Sequence, residues 1–600
     1  MKNIAIFLLI VLSASSFSCD FLEEEPKGLI SDTYAKTEEG VESLILSIYQ
    51  RNRYLTERLY KFADCGTDLT TYATNGVGWP YEEAMIYNDP LMISNRWNSQ
   101  YWKYLYKGLN VANLGVQYIQ ETPIAHEEKK NQLISEVHAL RAFYLFMIVE
   151  TYGPASHYAD TPSQSVITEG YQPGIAVFYK KILEDLDIAF QYLDIPQNTQ
   201  WGRMNIGVAK TLKMRVLMAL AAYDDAIITG AGYTKQQCYD EVVRLCNSVI
   251  NDYNYKLLDN YASVFDVNNQ INDEIIWSIQ YTSDLVYNGM DLTDIDANSM
   301  HRYFVGWYNK SAKNPNINID GLWSHSRVYG REYRCTMPTY YYISLFDKFD
   351  KRREQTFQTA WCRIPDNWNN EPDYSDTLLI RTLDVVSDEY VKSYEDRGII
   401  VDNITDLYDI NTGIPTINGR SCHHTMTKYL DPSRDEAKRE EGFKDLILMR
   451  LGEVYITLAE AYVRTNQPEK AAEVITQLRK RALIDGHESA LKVTAADVDM
   501  DFILEEGARE LGCELNRWYM LKRSGKMVEW VKEHNPDITL IKDSSLASVI
   551  GAVELLQSAQ IIGAKYYNYL IPLLAVSVVY LIMTSIIAFI AMHLERRMAV

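Results

Sequence analysis

Six side chains in two irregular stretches are of the types by which a protein holds a sugar: Trp79, Tyr81, Trp307 and Trp323, with Asp68 and Asn75 as polar partners. An aromatic face packs against the C–H face of a pyranose, while carboxylate and amide groups fix its hydroxyls. Residues 62–95 mix Gly, Asn, Thr, Pro and aromatics without a period, and residues 300–370 add Trp307, Tyr308, Trp323 and Trp361. Long loops of this composition are where binding residues collect. The same rings also serve as packing between helices, and with 44 Tyr and 11 Trp most of them must do so.

The chain offers no catalytic constellation. It has no Gly-rich phosphate loop, no GxSxG and no HExxH. His423 and His424 are adjacent, about 100° apart if helical, and read as loop polars rather than a ligand pair. Asp294 to Asn298 begins like a calcium loop, but Ser299 replaces the turn glycine and Val305 the closing Glu. The eight cysteines (19, 65, 238, 246, 335, 362, 422 and 513) include no CxxC and no zinc spacing with His. They read mostly as buried small hydrophobes. No metal, no cofactor and no enzyme activity is expected.

Charge narrows the partners. The net charge is −21, and residues 538–600 carry four cations against three carboxylates, so the rest of the chain holds −22. Such a body excludes nucleic acid, which requires a basic footprint.

The elements that must position these residues are mostly helices. Apolar residues recur with helical period over 38–60, 98–120, 127–151, 174–193, 206–222 and 235–252, then over 447–465 and 468–483. The last two form a hairpin turned by Asn466-Gln467-Pro468, with Leu458-Ala459-Glu460-Ala461-Tyr462 leading to Ala471-Ala472 and Leu478. This is tetratricopeptide chemistry: small residues let helices approach and aromatics fill the space above. The fold class is therefore mainly α, a tetratricopeptide-like repeat array with an irregular loop-rich lobe over 262–445.

Both ends are of another kind. Lys2, the apolar run Ile4–Leu12 and small residues precede Cys19. This resembles a bacterial lipobox, in which residues 1–18 are removed and the Cys19 thiol is acylated, giving a membrane anchor. At the other end Leu570–Met592 is 23 residues without a charge, about 34 Å as a helix, enough for one transmembrane span.

Five motifs in order resemble those of the SusD/RagB outer-membrane lipoproteins over about residues 19–537. They are Trp102 to Asn113, Glu136 to Tyr144 with Tyr152-Gly153, Glu184 to Asp187, Arg450 to Tyr462, and Glu505 to Glu510 with Arg517 to Arg523. The resemblance implies an N-terminal helical repeat region (19–261) and a C-terminal region (262–537) including the loop-rich lobe. It implies a surface lipoprotein that binds a glycan, or in some branches a peptide, and delivers it to a SusC-type TonB-dependent transporter. The helical repeats would face the transporter and the loops would carry the ligand. Residues 538–600 instead resemble the end of a polar amino-acid ABC transporter permease, a fragment foreign to such a lid.

Overall fold

The computed structural model describes residues 32–76, 85 and 96–538, apart from 164, 166, 168, 285–297 and 488. Cys19, Trp79, Tyr81, the calcium-like stretch from Asp294 to Ala297 and the span Leu570–Met592 lie outside the described residues.

Eight helices form one continuous array: α1 (Glu38–Ala63), α2 (Arg96–Glu121), α3 (Glu127–Tyr152), α4 (Ile175–Tyr192), α5 (Ile206–Leu220), α6 (Lys235–Asn251), α7 (Leu451–Arg464) and α8 (Pro468–Arg479), each packed on the next. Their starts are written in the sequence. Thr37 accepts from Gly40 N, Asn205 from Val208 N, Thr234 and Gln237 form a capping box, and Pro468 opens α8. Close approach is built by small residues. A Cβ on Gly108 would lie 2.1 Å from Tyr144 Cε1, so the α2–α3 contact requires glycine there.

Among the described residues only the segment Glu127–Ala155, which contains α3, is long and apolar enough to cross a membrane. Its apolar window is 89% buried within the protein, which marks a core helix. Its buried charges are paired with the neighbouring helices. Arg141 Nε and Nη2 each donate at 2.7 Å to Asp185, and Arg203 Nε donates to Glu136 at 2.8 Å.

Between α6 and α7 the chain leaves the array and returns. The neck of this excursion is an antiparallel pair, Ile275–Ile279 with Leu446–Arg450. Residues 447–450, expected as the start of a helix, are thus strand, and α7 begins at Leu451. The pairing places Arg450 opposite Ile275, beside Glu274. Beyond the neck, Ala360–Cys362, Thr377–Arg381 and Ile400–Asp402 form a three-stranded sheet, antiparallel then parallel. A second small cluster around Tyr308, Tyr329, Trp361 and Leu379 packs on it.

Three further helices, α9 (Met500–Leu511), α10 (Arg517–Ser524) and α11 (Met527–His534), close the body. They meet a buried ionic network. Arg450 donates to Glu274 at 2.8 Å, Glu510 at 2.7 Å and Glu514 at 2.5 Å, and Arg352 donates to Glu506 and Glu510 at 3.0 Å each. The surrounding guanidinium groups hold the Glu506 and Glu510 carboxyls well below their ordinary range, against the opposing effect of burial. The acidic and basic residues of the C-terminal motif are therefore structural staples. Ile538 is fully buried, so the body includes this residue, past the expected end at 537.

Candidate functional site

Two of the six predicted ligand residues converge. Thr70–Tyr72 pairs antiparallel with Thr336–Pro338, with Tyr72 opposite Thr336. That register carries the next residues alongside the 334–335 segment: Ala73 N donates to Cys335 O and Asn75 N to Arg334 O, each at 3.0 Å. Asn75 Nδ2 donates to Tyr333 O at 2.9 Å. A third segment closes the corner. Trp307 N donates to Ser421 O at 2.7 Å, Thr74 N to Arg420 O at 3.2 Å, and the Thr74 and Ser421 hydroxyls lie 2.7 Å apart.

Trp307 is half-buried, and its position is fixed from below. Arg381, at the end of its strand and fully buried, donates to the carbonyls of Trp307 at 2.5 Å and Lys310 at 2.7 Å. Asp402, opposite Arg381 across the parallel ladder, accepts from it at 3.1 Å and from Ser311 at 2.5 Å. Backbone groups are thus satisfied beneath the ring, as burial requires. The ring carries two cations, Lys310 Nζ at 4.2 Å and Arg334 Cζ at 3.9 Å from its centroid. Burial pushes the Arg334 guanidinium below its ordinary value. Arg420 lies over Tyr72 at 4.1 Å and is neutralised by Asp537 at 2.6 Å.

The other predicted residues are elsewhere. Asp68 is completely buried, accepting from Arg517 Nε at 2.8 Å and Trp530 Nε1 at 2.9 Å. Its carboxylate is committed to the core and leaves no oxygen for a ligand. Trp323 is half-buried in the second cluster, donates to Ile364 O at 3.1 Å and meets Trp368 edge-on at 6.0 Å. Among the described residues no hydrogen bond or ring contact links its indole to that of Trp307. His423 and His424 are fully buried, not loop polars, and desolvation lowers both imidazoles to about 3. The seven described cysteines are buried and unpaired. No group of His, Cys, Asp and Glu suited to a metal occurs among the described residues.

Sequence reasoning missed Lys310, Arg334, Arg381 and Arg420. Lys310 lies three residues from Trp307 and was within reach of a local pattern, whereas the arginines are placed by strand pairing. A cavity of about 670 Å³ lies on the array, lined by residues including Glu42, Lys129, Glu136, Asp194 and Arg203. It contains none of the predicted residues. Inside it Lys129 pairs with Glu42 and Arg203 with Glu136.

A helical repeat body thus carries a loop-rich lobe with an aromatic corner. The SusD family model matches residues 273–548, and a second, described as starch-binding and associating with the outer membrane, matches residues 20–201. The chain belongs to the SusD/RagB family. It is 23% identical over 545 residues to SusD-like protein P25 of Formosa agariphila, covering 89% of this chain and 92% of that one. Surface glycan-binding protein A of Bacteroides thetaiotaomicron, solved with laminarihexaose, superposes with a TM-score of 0.59 at 16% identity, covering 85% of this chain and 95% of that one. A stretch of 66 residues, 11% of this chain, is 39% identical to 30% of a putative glutamine transport permease of Rickettsia typhi.

Proposed function

We propose that this chain is a lipid-anchored outer-membrane protein that captures a nutrient glycan and delivers it to a SusC-type TonB-dependent transporter. Cys19 would carry the anchor after loss of residues 1–18, residues 19–261 would face the transporter, and the lobe within 262–537 would present the ligand. The observation that carries this reading is the convergence of Asn75 and Trp307 at one half-buried corner of the lobe, in a fold shared with a protein solved with laminarihexaose. A half-buried indole whose backbone carbonyl is held by Arg381 suits stacking on a sugar ring, because it loses little freedom when the ligand arrives.

Peptide capture, found in some branches of the family, is the second reading. Titration of the full-length protein in detergent with a panel of oligosaccharides and a panel of peptides separates the two. Saturable binding of a saccharide, lost in Trp307→Ala, supports the proposal; binding confined to peptides refutes it. The membrane-length segment Leu570–Met592 is proposed to take no part in this function.

A further inference from the structure

Lys310 and Arg334 stand against the indole of Trp307, and among the described residues neither forms an ion pair with a carboxylate. The acidic groups of the neighbouring segments are already engaged. Glu332 faces His325 at 2.8 Å, Asp402 is held by Arg381 and Ser311, and Asp537 by Arg420. The body carries a charge of −22, yet among the described residues the two cations beside the ring stand outside any ion pair.

Arg334 is the more unusual of the two. Its backbone is left-handed, at φ +53, a conformation unfavourable for any residue with a Cβ. Its Nε is buried and has no acceptor. The strand pairing that places it uses only its backbone, since Arg334 N donates to Val305 O and its carbonyl accepts from Asn75. The guanidinium packs on the Trp307 ring, and a partly desolvated cation outside an ion pair is costly to maintain.

We infer that the Trp307 corner takes an acidic glycan, one bearing carboxylate or sulfate groups, with Arg334 and Lys310 holding the anion and Trp307 the adjoining sugar ring. This deepens the proposed function and rests on its reading of the corner as a glycan site. The guanidinium offers a planar fork that matches a carboxylate or sulfate, and the ammonium adds a point charge beside it. Charge of this sign also draws an anion toward a body that would otherwise repel it.

The test compares oligogalacturonate with its neutral methyl ester of the same length, and a sulfated oligosaccharide with its desulfated form, on the full-length protein in detergent. The acidic member of at least one pair is expected to bind about tenfold tighter in low salt, with the advantage shrinking at about 0.5 M as screening takes over. Arg334→Gly suits the left-handed backbone and should therefore fold. It should abolish that advantage, while Arg334→Lys retains part of it. If acidic and neutral forms bind alike in both pairs and Arg334→Gly alters neither, the corner is a glycan site without charge selection and the inference is overturned. If no saccharide binds, the proposed function falls as well. If polyglutamate binds through Arg334 as tightly as the acidic sugars, the assignment of a glycan is wrong.

Discussion

Arg517 Nε donates to Asp68 Oδ1 at 2.8 Å across 449 positions of the chain, joining the end of α1 to the start of α10. Trp530 Nε1 donates to the same carboxylate, so one buried anion secures α10 and α11 against the first helix pair. Asp68→Ala leaves a buried guanidinium uncompensated and should cost about 3–5 kcal/mol. Denaturant unfolding measures this. A loss below about 1 kcal/mol would show that the pair is not structural.

Gly108→Ala tests the α2–α3 contact. Alanine favours a helix over glycine by about 1 kcal/mol. The added Cβ, however, would sit 2.1 Å from Tyr144 Cε1 in a packed interior, where overpacking costs about 1–3 kcal/mol. Net destabilisation is expected, and the double variant with Tyr144→Leu should be less destabilised than the two single losses combined. Strict additivity would place the clash elsewhere.

Asp64 makes stability depend on pH. Burial raises its carboxyl to about 7, against the Leu515 N–H and Lys428, with Glu514 adding to the rise. The unfolded chain releases this proton near the ordinary value of 3.8. The contribution of Asp64 is therefore complete below about pH 4 and is lost as pH rises to about 7. His423 and His424 act in the opposite sense, because they are held neutral to about 3 while the unfolded imidazoles titrate near 6.5. Asp64→Asn, which mimics the protonated group, should match the wild type near pH 4 and exceed it by a few kcal/mol, at most about 4, at pH 8. Equal stability at both pH values would contradict the assignment.

The helices were legible because periodicity is local. The expected range 127–151 differs from Glu127–Tyr152 by one residue, and 468–483 starts correctly at Pro468. The start of α7 was misplaced, because Leu446–Arg450 is strand only through pairing with a segment some 170 positions earlier. The site was half-legible for the same reason. Trp307 and Asn75 are distinctive residue types in irregular text, but Asp68 was drawn from the same stretch and is held in the core by Arg517. Its role depends on a partner that no local pattern reveals. Arg334 likewise reaches Trp307 through backbone bonds between distant segments, its N–H donating to Val305 O at 3.2 Å.

Truncation should follow Ile538, because that side chain is fully buried and Asp537 binds Arg420 at 2.6 Å. A chain ending there, without the leader, should be soluble and as stable as the full-length protein. Ending at Asp537 should cost about 2–4 kcal/mol through loss of a buried isoleucine. A soluble, equally stable product from both truncations would show that Ile538 contributes nothing.

The central claim is that the Trp307 corner binds the ligand. It is tested most directly by calorimetric titration of full-length wild type and Trp307→Ala with an oligosaccharide that the wild type binds, alongside Trp323→Ala. Stacking on an indole contributes on the order of 1–2 kcal/mol. Trp307→Ala is therefore predicted to weaken binding by about tenfold or more with little change in melting temperature, and Trp323→Ala to leave the affinity unchanged. Unaltered affinity in Trp307→Ala would contradict the account.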